Sequence, residues 1–180
     1  MSDASLPLLV LDIDGVLTDG SLPFDKKGCD ERTFCVQDGA ALAAWRRAGG
    51  RLALLSGRKS AAVTRRAAEL KADETLQGID DKLAAFHGLC ERLDMTPDTV
   101  CYVGDDWADL PVMLACGLPM AVANAIPAVK RAALRVTRRN GGEGAVAEVV
   151  ECLLRRAGRW PPGDARCQRA EHEASRGNQA

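Results

Sequence analysis

Leu8-Leu9-Val10-Leu11-Asp12-Ile13-Asp14-Gly15-Val16-Leu17-Thr18 decides how the rest of the chain is read. Its opening apolar run predicts a buried strand, over about residues 8–13. An ionised carboxylate loses its hydration when buried, so two of them closing such a run mark a place where the strand reaches a site or solvent. Side chains two apart on a strand point to the same side. Asp12 and Asp14 can therefore share one site just past the strand's C-terminal end, the edge at which open α/β sheets bind ligands. Taken alone, the motif is equally compatible with a solvated turn that carries two acids.

Outward from this stretch, strand-like and helix-like segments alternate. Strands are predicted over 8–13, 51–55, 75–77, 99–103, 119–122 and 134–137, and helices over 39–48, 60–70, 81–93, 108–116, 127–133 and 145–156. That order implies βαβ units and an α/β, Rossmann-like doubly wound parallel sheet with helices on both faces. Pro97, Pro111 and Pro127 fall near helix starts, where a missing N–H costs little. The segment 20–36 breaks the pattern. Leu22 and Phe24 alternate on one side, Lys26-Lys27-Gly28 offers a turn, and Phe34 and Val36 alternate on the way back. This predicts a projecting β-hairpin whose apolar side packs on its own domain or on another subunit, because a lone hairpin is marginal in water. From Gly158 to Ala180 the chain is polar, Arg-rich and aperiodic, which predicts a disordered tail.

The 180 residues suffice for one domain with a sizeable core. With a net charge of -1, nothing in the composition points to nucleic acid or an anionic membrane, both of which favour a basic face. No apolar run approaches a membrane span, and Met1-Ser2-Asp3-Ala4 has no basic n-region before an h-region, so no secretory signal is expected. Seven cysteines form an odd count with neither a CxxC pair nor a Cys/His cluster, so reducing cytoplasm is the expected compartment. Cys101 and Cys116 sit in apolar stretches and are expected in the core, and His87 and His172 look incidental.

Three further polar groups follow strand-like runs. Leu52-Ala53-Leu54-Leu55 leads to Ser56-Gly57-Arg58, where a hydroxyl and free N–H groups make a phosphate cradle. Lys82 opens a helix after Gln77-Gly78-Ile79-Asp80-Asp81. Val100-Cys101-Tyr102-Val103 leads to Gly104-Asp105-Asp106-Trp107-Ala108-Asp109. Singly, Ser56 reads as a helix cap, Lys82 as a solvated side chain, and the acids as a cluster favoured by a helix dipole. Together they set acids, a hydroxyl and a lysine at successive strand ends. That set fits a Mg²⁺–phosphoryl site, with hard oxygen ligands for the ion and Ser and Lys for phosphate oxygens.

Over about residues 8–156 these motifs resemble those of the haloacid dehalogenase-like phosphatases, with Asp12-Ile13-Asp14-Gly15-Val16-Leu17-Thr18, Ser56, Lys82 and Gly104-Asp105-Asp106 in order. Val16-Leu17-Thr18-Asp19-Gly20, Val36-Gln37-Asp38-Gly39, Leu55-Ser56-Gly57-Arg58, Gln77 to Lys82 and Gly141-Gly142-Glu143-Gly144-Ala145-Val146 narrow it. They are similar to motifs of the 3-deoxy-D-manno-octulosonate 8-phosphate phosphatases, whose relatives act on nine-carbon keto-sugar phosphates. The resemblance implies a phosphatase domain over 1–157. It implies Asp12 as nucleophile through an aspartyl-phosphate, and Asp14 as the acid and then the base. Mg²⁺ would be held by the Asp12 carboxylate, the Asp14 carbonyl and the Asp105 carboxylate, with Asp106 and Asp109 ordering the loop. Ser56 and Lys82 would stabilise the transferring phosphoryl group, and Gly57, Arg58 and Arg66 would bind substrate, the arginines meeting a sugar carboxylate. Glu143, by contrast, resembles the nine-carbon group, and Gln37 and Asn124 stand where charged residues are common in the family.

Only 41 residues separate Asp14 from Ser56 and 25 separate Ser56 from Lys82, too few for a separate cap domain. An open site gains from a neighbour that excludes water, and the resembling family is homotetrameric, which is the expectation here. The expected ligand is a small sugar phosphate. Two other classes compete. A non-catalytic oligomerisation domain of the same fold is disfavoured by the intact acid, serine and lysine set. A phosphoacceptor receiver is disfavoured by the early DxD.

Overall fold

The computed structural model describes residues 6–23 and 31–160. Its centre is β1 (Leu8–Leu11), whose side chains are all fully buried, as a strand covered on both faces requires. β1 pairs in parallel with β2 (Arg51–Ser56) on one side and β4 (Val100–Gly104) on the other. β3 (Glu74–Gln77) lies outside β2, and β5 (Leu118–Ala121) and the two-residue β6 (Arg135–Val136) lie outside β4. The sheet is parallel throughout, in the order β3-β2-β1-β4-β5-β6. The chain therefore winds outward from β1 to β3, then returns to β4 beside β1. The crevice between β1 and β4 is the topological switch point, where such sheets bind ligands.

Helices α1 (Val36–Arg47), α2 (Ala61–Leu70), α3 (Lys82–Arg92), α4 (Leu110–Ala115), α5 (Pro127–Ala132) and α6 (Ala145–Arg156) connect or follow the strands. α6 shows why they pack as they do. Val146, Val149, Val150, Leu153 and Leu154 recur at three- and four-residue spacing, form one buried stripe, and pack on α1. Trp45 of α1 is fully buried, and its indole N–H donates to Arg51 O at 2.9 Å. Pro97 opens a 3₁₀ turn, and Pro111 and Pro127 fall in the first turns of α4 and α5, as their fixed φ favours. Cys101 and Cys116 are buried in the core.

Every strand and helix predicted outside the 20–36 segment exists, with shifted ends except for the last helix. The first strand stops at Leu11, because Ile13 O turns back to accept from the N–H groups of Val16, Leu17 and Thr18. The segment 20–36 departs further from expectation. Residues 20–23 and 31–35 are not strands, although Glu31 N–H does bond Pro23 O across the two arms at 3.0 Å. Val36, read as the end of the returning strand, opens α1 and is exposed, while Phe34 packs against the core of its own domain. The predicted turn at 26–28, with Phe24, lies outside the described residues. The described residues between β1 and β2 and between β2 and β3 form no second folded unit. The first residues of the predicted tail fold back: Arg159 donates to Leu154 O and Ala48 O, and the Arg155 guanidinium stacks on Trp160. Residues 161–180 lie outside the description. Among the described residues no helix is long and apolar enough to cross a membrane.

Candidate active site

Strand register brings the site together. Leu11 is level with Leu54 and Val103, so Asp12, Ser56 and Asp105 leave the sheet as neighbours at the C-terminal ends of β1, β2 and β4. Asp12 N–H still bonds Val103 O at 3.0 Å, which fixes the start of the loop. Gly15 then adopts φ +98, and a Cβ there would stand 2.0 Å from Asp105 Oδ2. Only glycine lets the loop approach that carboxylate. Thr18 braces the turn, its hydroxyl accepting from Gly15 and Gly20 N–H and donating to Ile13 O. The Gly141-Gly142 loop closes over it. Gly142 N–H bonds Val16 O, and Asn124 bridges Gly141 N–H and Gly15 O.

Asp81 caps α3 by accepting from Ala84 N–H, and so starts the helix at Lys82. Lys82 is 7% exposed, and its Nζ donates to Asp12 Oδ1 at 2.6 Å and Asp109 Oδ1 at 2.7 Å. Asp109 is fully buried and fully engaged. Its Oδ1 also accepts from the Tyr102 hydroxyl at 2.7 Å, and its Oδ2 from the N–H groups of Asp105 and Asp106. Carboxylate oxygens of Asp12, Asp105 and Asp109 all lie within 4.8 Å of one another.

The charges are unbalanced. Burial, then the neighbouring Asp109, pushes the Asp12 carboxyl well above its ordinary range, against the pull of Lys82. Burial followed by Asp109 and Asp106 pushes Asp105 up to about 7. Burial alone would lower the Lys82 ammonium, but the charges of Asp12 and Asp109 outweigh it and hold the group protonated. Burial and Asp109 push the Tyr102 phenol upward, so it remains a donor. A divalent cation would relieve this crowding. Asp105 Oδ1 is buried without a hydrogen-bond partner among the described residues. Together with the all-oxygen donor set, that fits a hard ion held by Asp12 and Asp105, since the lone pairs of Asp109 are already committed.

Comparison with known proteins places the chain. Residues 74–150 match the family model of the haloacid dehalogenase-like hydrolases. The 3-deoxy-D-manno-octulosonate 8-phosphate phosphatase of Escherichia coli K12 is 42% identical over 150 residues, 83% of this chain and 80% of that protein. The chain belongs to this phosphatase family. Its fold agrees. The same enzyme from Moraxella catarrhalis, solved with magnesium, phosphate and a KDO molecule, superposes with a TM-score of 0.86 at 36% identity, covering 89% of this chain and 92% of that one. The cobalt-bound Haemophilus influenzae enzyme superposes with a TM-score of 0.82 at 36% identity, over 86% and 90%. The protein is a phosphomonoesterase of the haloacid dehalogenase-like class.

Within the family, the structure brings Asp12, Lys82, Asp105 and Asp109 into direct contact. Ser56 is buried at the end of β2 and accepts from Arg58 N–H at 3.1 Å; the cap of α2 is Ser60, not Ser56. Gly57 forms the exposed turn between Ser56 and Arg58. Asp106 does what a helix-start acid does, accepting from Trp107 N–H at 2.7 Å at the exposed lip of the loop. Asp14 faces the Arg32 guanidinium at 2.6 Å, with Arg58 4.0 Å away. Arg66 stands apart. It stacks on Phe34 at 5.5 Å, bonds Cys35 O and pairs with Glu69, so its partners lie within its own chain between α1 and α2. Glu143 bonds Asn140, and Gln37 bonds Arg139. Sequence reasoning missed Tyr102 and Arg32. Tyr102 carried a usable signal, as a hydroxyl-bearing residue within an apolar strand, which needs a buried partner. Arg32 carried none, because its partner is 18 residues away across a loop.

Proposed function

We propose that the protein hydrolyses 3-deoxy-D-manno-octulosonate 8-phosphate with Mg²⁺, through an aspartyl-phosphate on Asp12. The observation that carries this is the Lys82 ammonium seated between Asp12 and Asp109, with the unpartnered Asp105 oxygen beside them, in a member of this family. A carboxylate oxygen of Asp12 attacks phosphorus, and the bond to the sugar's C8 oxygen breaks. Asp14 gives that oxygen its proton, releasing the sugar alcohol. The Asp14 carboxylate then takes a proton from water as the water oxygen attacks the phosphorus of the acyl phosphate, which frees phosphate and restores Asp12. Lys82 and Ser56 stabilise the equatorial phosphoryl oxygens, and Lys82 also holds the nucleophile in place. Bound Mg²⁺, held by Asp12 and Asp105 with the Asp14 carbonyl, would neutralise the phosphate's charge as it moves. Arg58, exposed at the mouth, and Arg66 are the proposed contacts for the sugar acid.

Glu143 favours a second reading, a nine-carbon keto-sugar acid phosphate. Phosphate release should be measured from both sugar acids and from neutral sugar phosphates, with Mg²⁺ and with chelator. The expected result is Mg²⁺-dependent release that is fastest from the octulosonate phosphate. A preference for the nine-carbon compound would install the second reading, and no release from any phosphate ester would overturn both. We further propose a cytoplasmic homotetramer in which residues 1–157 form the phosphatase domain, 158–180 form a tail, and neighbours cover the open sites. Light scattering that shows a fully active monomer would refute the assembly.

A further inference from the structure

We infer that Arg32 is a positioning residue for the catalytic acid: it pins one oxygen of Asp14 so that the other faces the leaving group. This rests on the role proposed for Asp14. The Arg32 side chain is only 1% exposed and that of Asp14 20%. Arg32 Nε donates to Asp14 Oδ1 at 2.6 Å, while its Nη2 stands 3.5 Å from Oδ2 and its Nη1 donates to Glu31 O at 2.9 Å. The contact is therefore lopsided. Oδ1 accepts a short charge-assisted bond, and Oδ2 is held only at long range, with Arg58 Nε 4.0 Å away. A planar guanidinium sets the plane of the carboxylate it grips as well as its place.

The backbone of Asp14 is already fixed by the Thr18 turn, so the side-chain torsions are the remaining freedom, and Arg32 removes it. Oδ2 becomes the oxygen that carries the proton to the departing sugar oxygen and takes one from water in the second half-reaction. The segment that follows the first loop thus reaches back into the chemistry. The Pro23–Glu31 backbone bond ties its two arms together directly beside Arg32.

A misaimed acid matters most when the leaving group needs a proton most. The test measures kcat/KM, which covers the steps through leaving-group departure, for a series of substituted phenyl phosphates of rising phenol pKa and for the sugar phosphate. In Arg32→Ala, the nitrophenyl ester, whose phenolate leaves unaided, should lose less than about threefold, and the sugar ester about 100-fold, within the range general acids supply. The dependence on leaving-group pKa should steepen, and Arg32→Lys should recover part of the loss. The retained nitrophenyl activity doubles as the control for folding. If the alanine variant does not fold, the lysine variant carries the same comparison. A parallel drop across the series, or no change, would overturn the inference. Wild-type protein that hydrolyses none of the esters would overturn the proposed function, and the inference with it.

Discussion

The phosphoryl centre and the approach to it are built by different rules. Asp12, Ser56 and Asp105 sit where they do because three adjacent strands end within two residues of one another, and Lys82 because a capped helix starts beside them. Each position follows from local chain geometry plus one sheet register. On the approach side, Arg32, Phe34, Arg58 and Arg66 are placed by contacts between segments with no shared regular element, as in Arg66 on Phe34 and Arg32 on Asp14. The centre is set by strand ends and one helix start, whereas the approach depends on side chains meeting across loops. Substitutions in the centre should therefore cost catalysis on every phosphate ester, and substitutions on the approach should act in proportion to the substrate's leaving group or sugar.

The largest effect is expected from Asp12→Asn. The amide keeps the shape but is a poor nucleophile and a weaker ligand. Turnover should fall by on the order of 10³-fold or more on sugar and aryl phosphates alike, with an unchanged circular dichroism spectrum. Near-normal turnover of the purified variant would rule out the covalent route through Asp12.

Lys82→Ala should come next, and it tests whether the centre is held together by charge. It removes the buried cation that contacts both Asp12 and Asp109. Truncating one partner of a buried, hydrogen-bonded charge set costs about 3–5 kcal/mol, so denaturant unfolding should show a lowered midpoint. Activity should fall on all substrates, because the same ammonium faces the phosphoryl oxygens. An unaltered midpoint would mean that the acids are neutral in the folded protein.

These residues are legible in the chain because strand ends and a helix start place them. An apolar run that ends in acids can be read without knowing what packs on it, and all six strands and six helices could be placed that way, with ends shifted by up to three residues. The first strand ended early because Ile13 O prefers three turn donors to a ladder partner, which periodicity does not report. The returning arm of the 20–36 segment failed for a similar reason. Phe34 and Val36 alternate, but Phe34 is partly buried against its own core while Val36 starts a helix, and period-two spacing cannot separate those outcomes. Asp109 differs from Asp105 in that both its oxygens are committed, one to Lys82 and Tyr102 and the other to two backbone N–H groups. Its partner Tyr102 could have been found from its hydroxyl, which is set inside an apolar run and so needs a buried acceptor.

A moderate effect is expected from pH and Mg²⁺, and it sharpens the picture of the centre as a crowd of negative charge. Asp105 is raised to about 7 from an ordinary 3.8 by burial, Asp109 and Asp106, and Asp12 is raised as well. In the metal-free protein these groups bind protons more tightly folded than unfolded. Their contribution to stability is therefore full below about pH 4 and is lost as pH rises through about 7. Melting temperature measured from pH 5 to pH 8 in chelator should fall for this reason, and Mg²⁺ should raise it more at pH 8 than at pH 5, since the ion competes with the protons. A stabilisation by Mg²⁺ that does not vary with pH would mean that the ion binds elsewhere.

The smallest effect should come from Arg66→Ala, and it bears most directly on the contrast between the two regions. Arg58 is exposed beside Asp14 and free to turn toward a ligand, whereas the Arg66 guanidinium is shared among the Phe34 ring, Cys35 O and Glu69. A sugar carboxylate would have to compete with those partners for it. Arg58→Ala should therefore raise KM for the sugar acid about tenfold, as the loss of a charge-assisted contact does. Arg66→Ala should raise it only about two- to threefold, an effect of the size seen for a partly solvated charge, with KM for an aryl phosphate unchanged in both. If Arg66→Ala instead matches or exceeds Arg58→Ala on the sugar acid alone, Arg66 leaves Phe34 when substrate binds, and the approach side rearranges around its ligand. If both variants lose equally on the two substrates, neither arginine reads the carboxylate, and the preference for a sugar acid must come from another part of the assembled site.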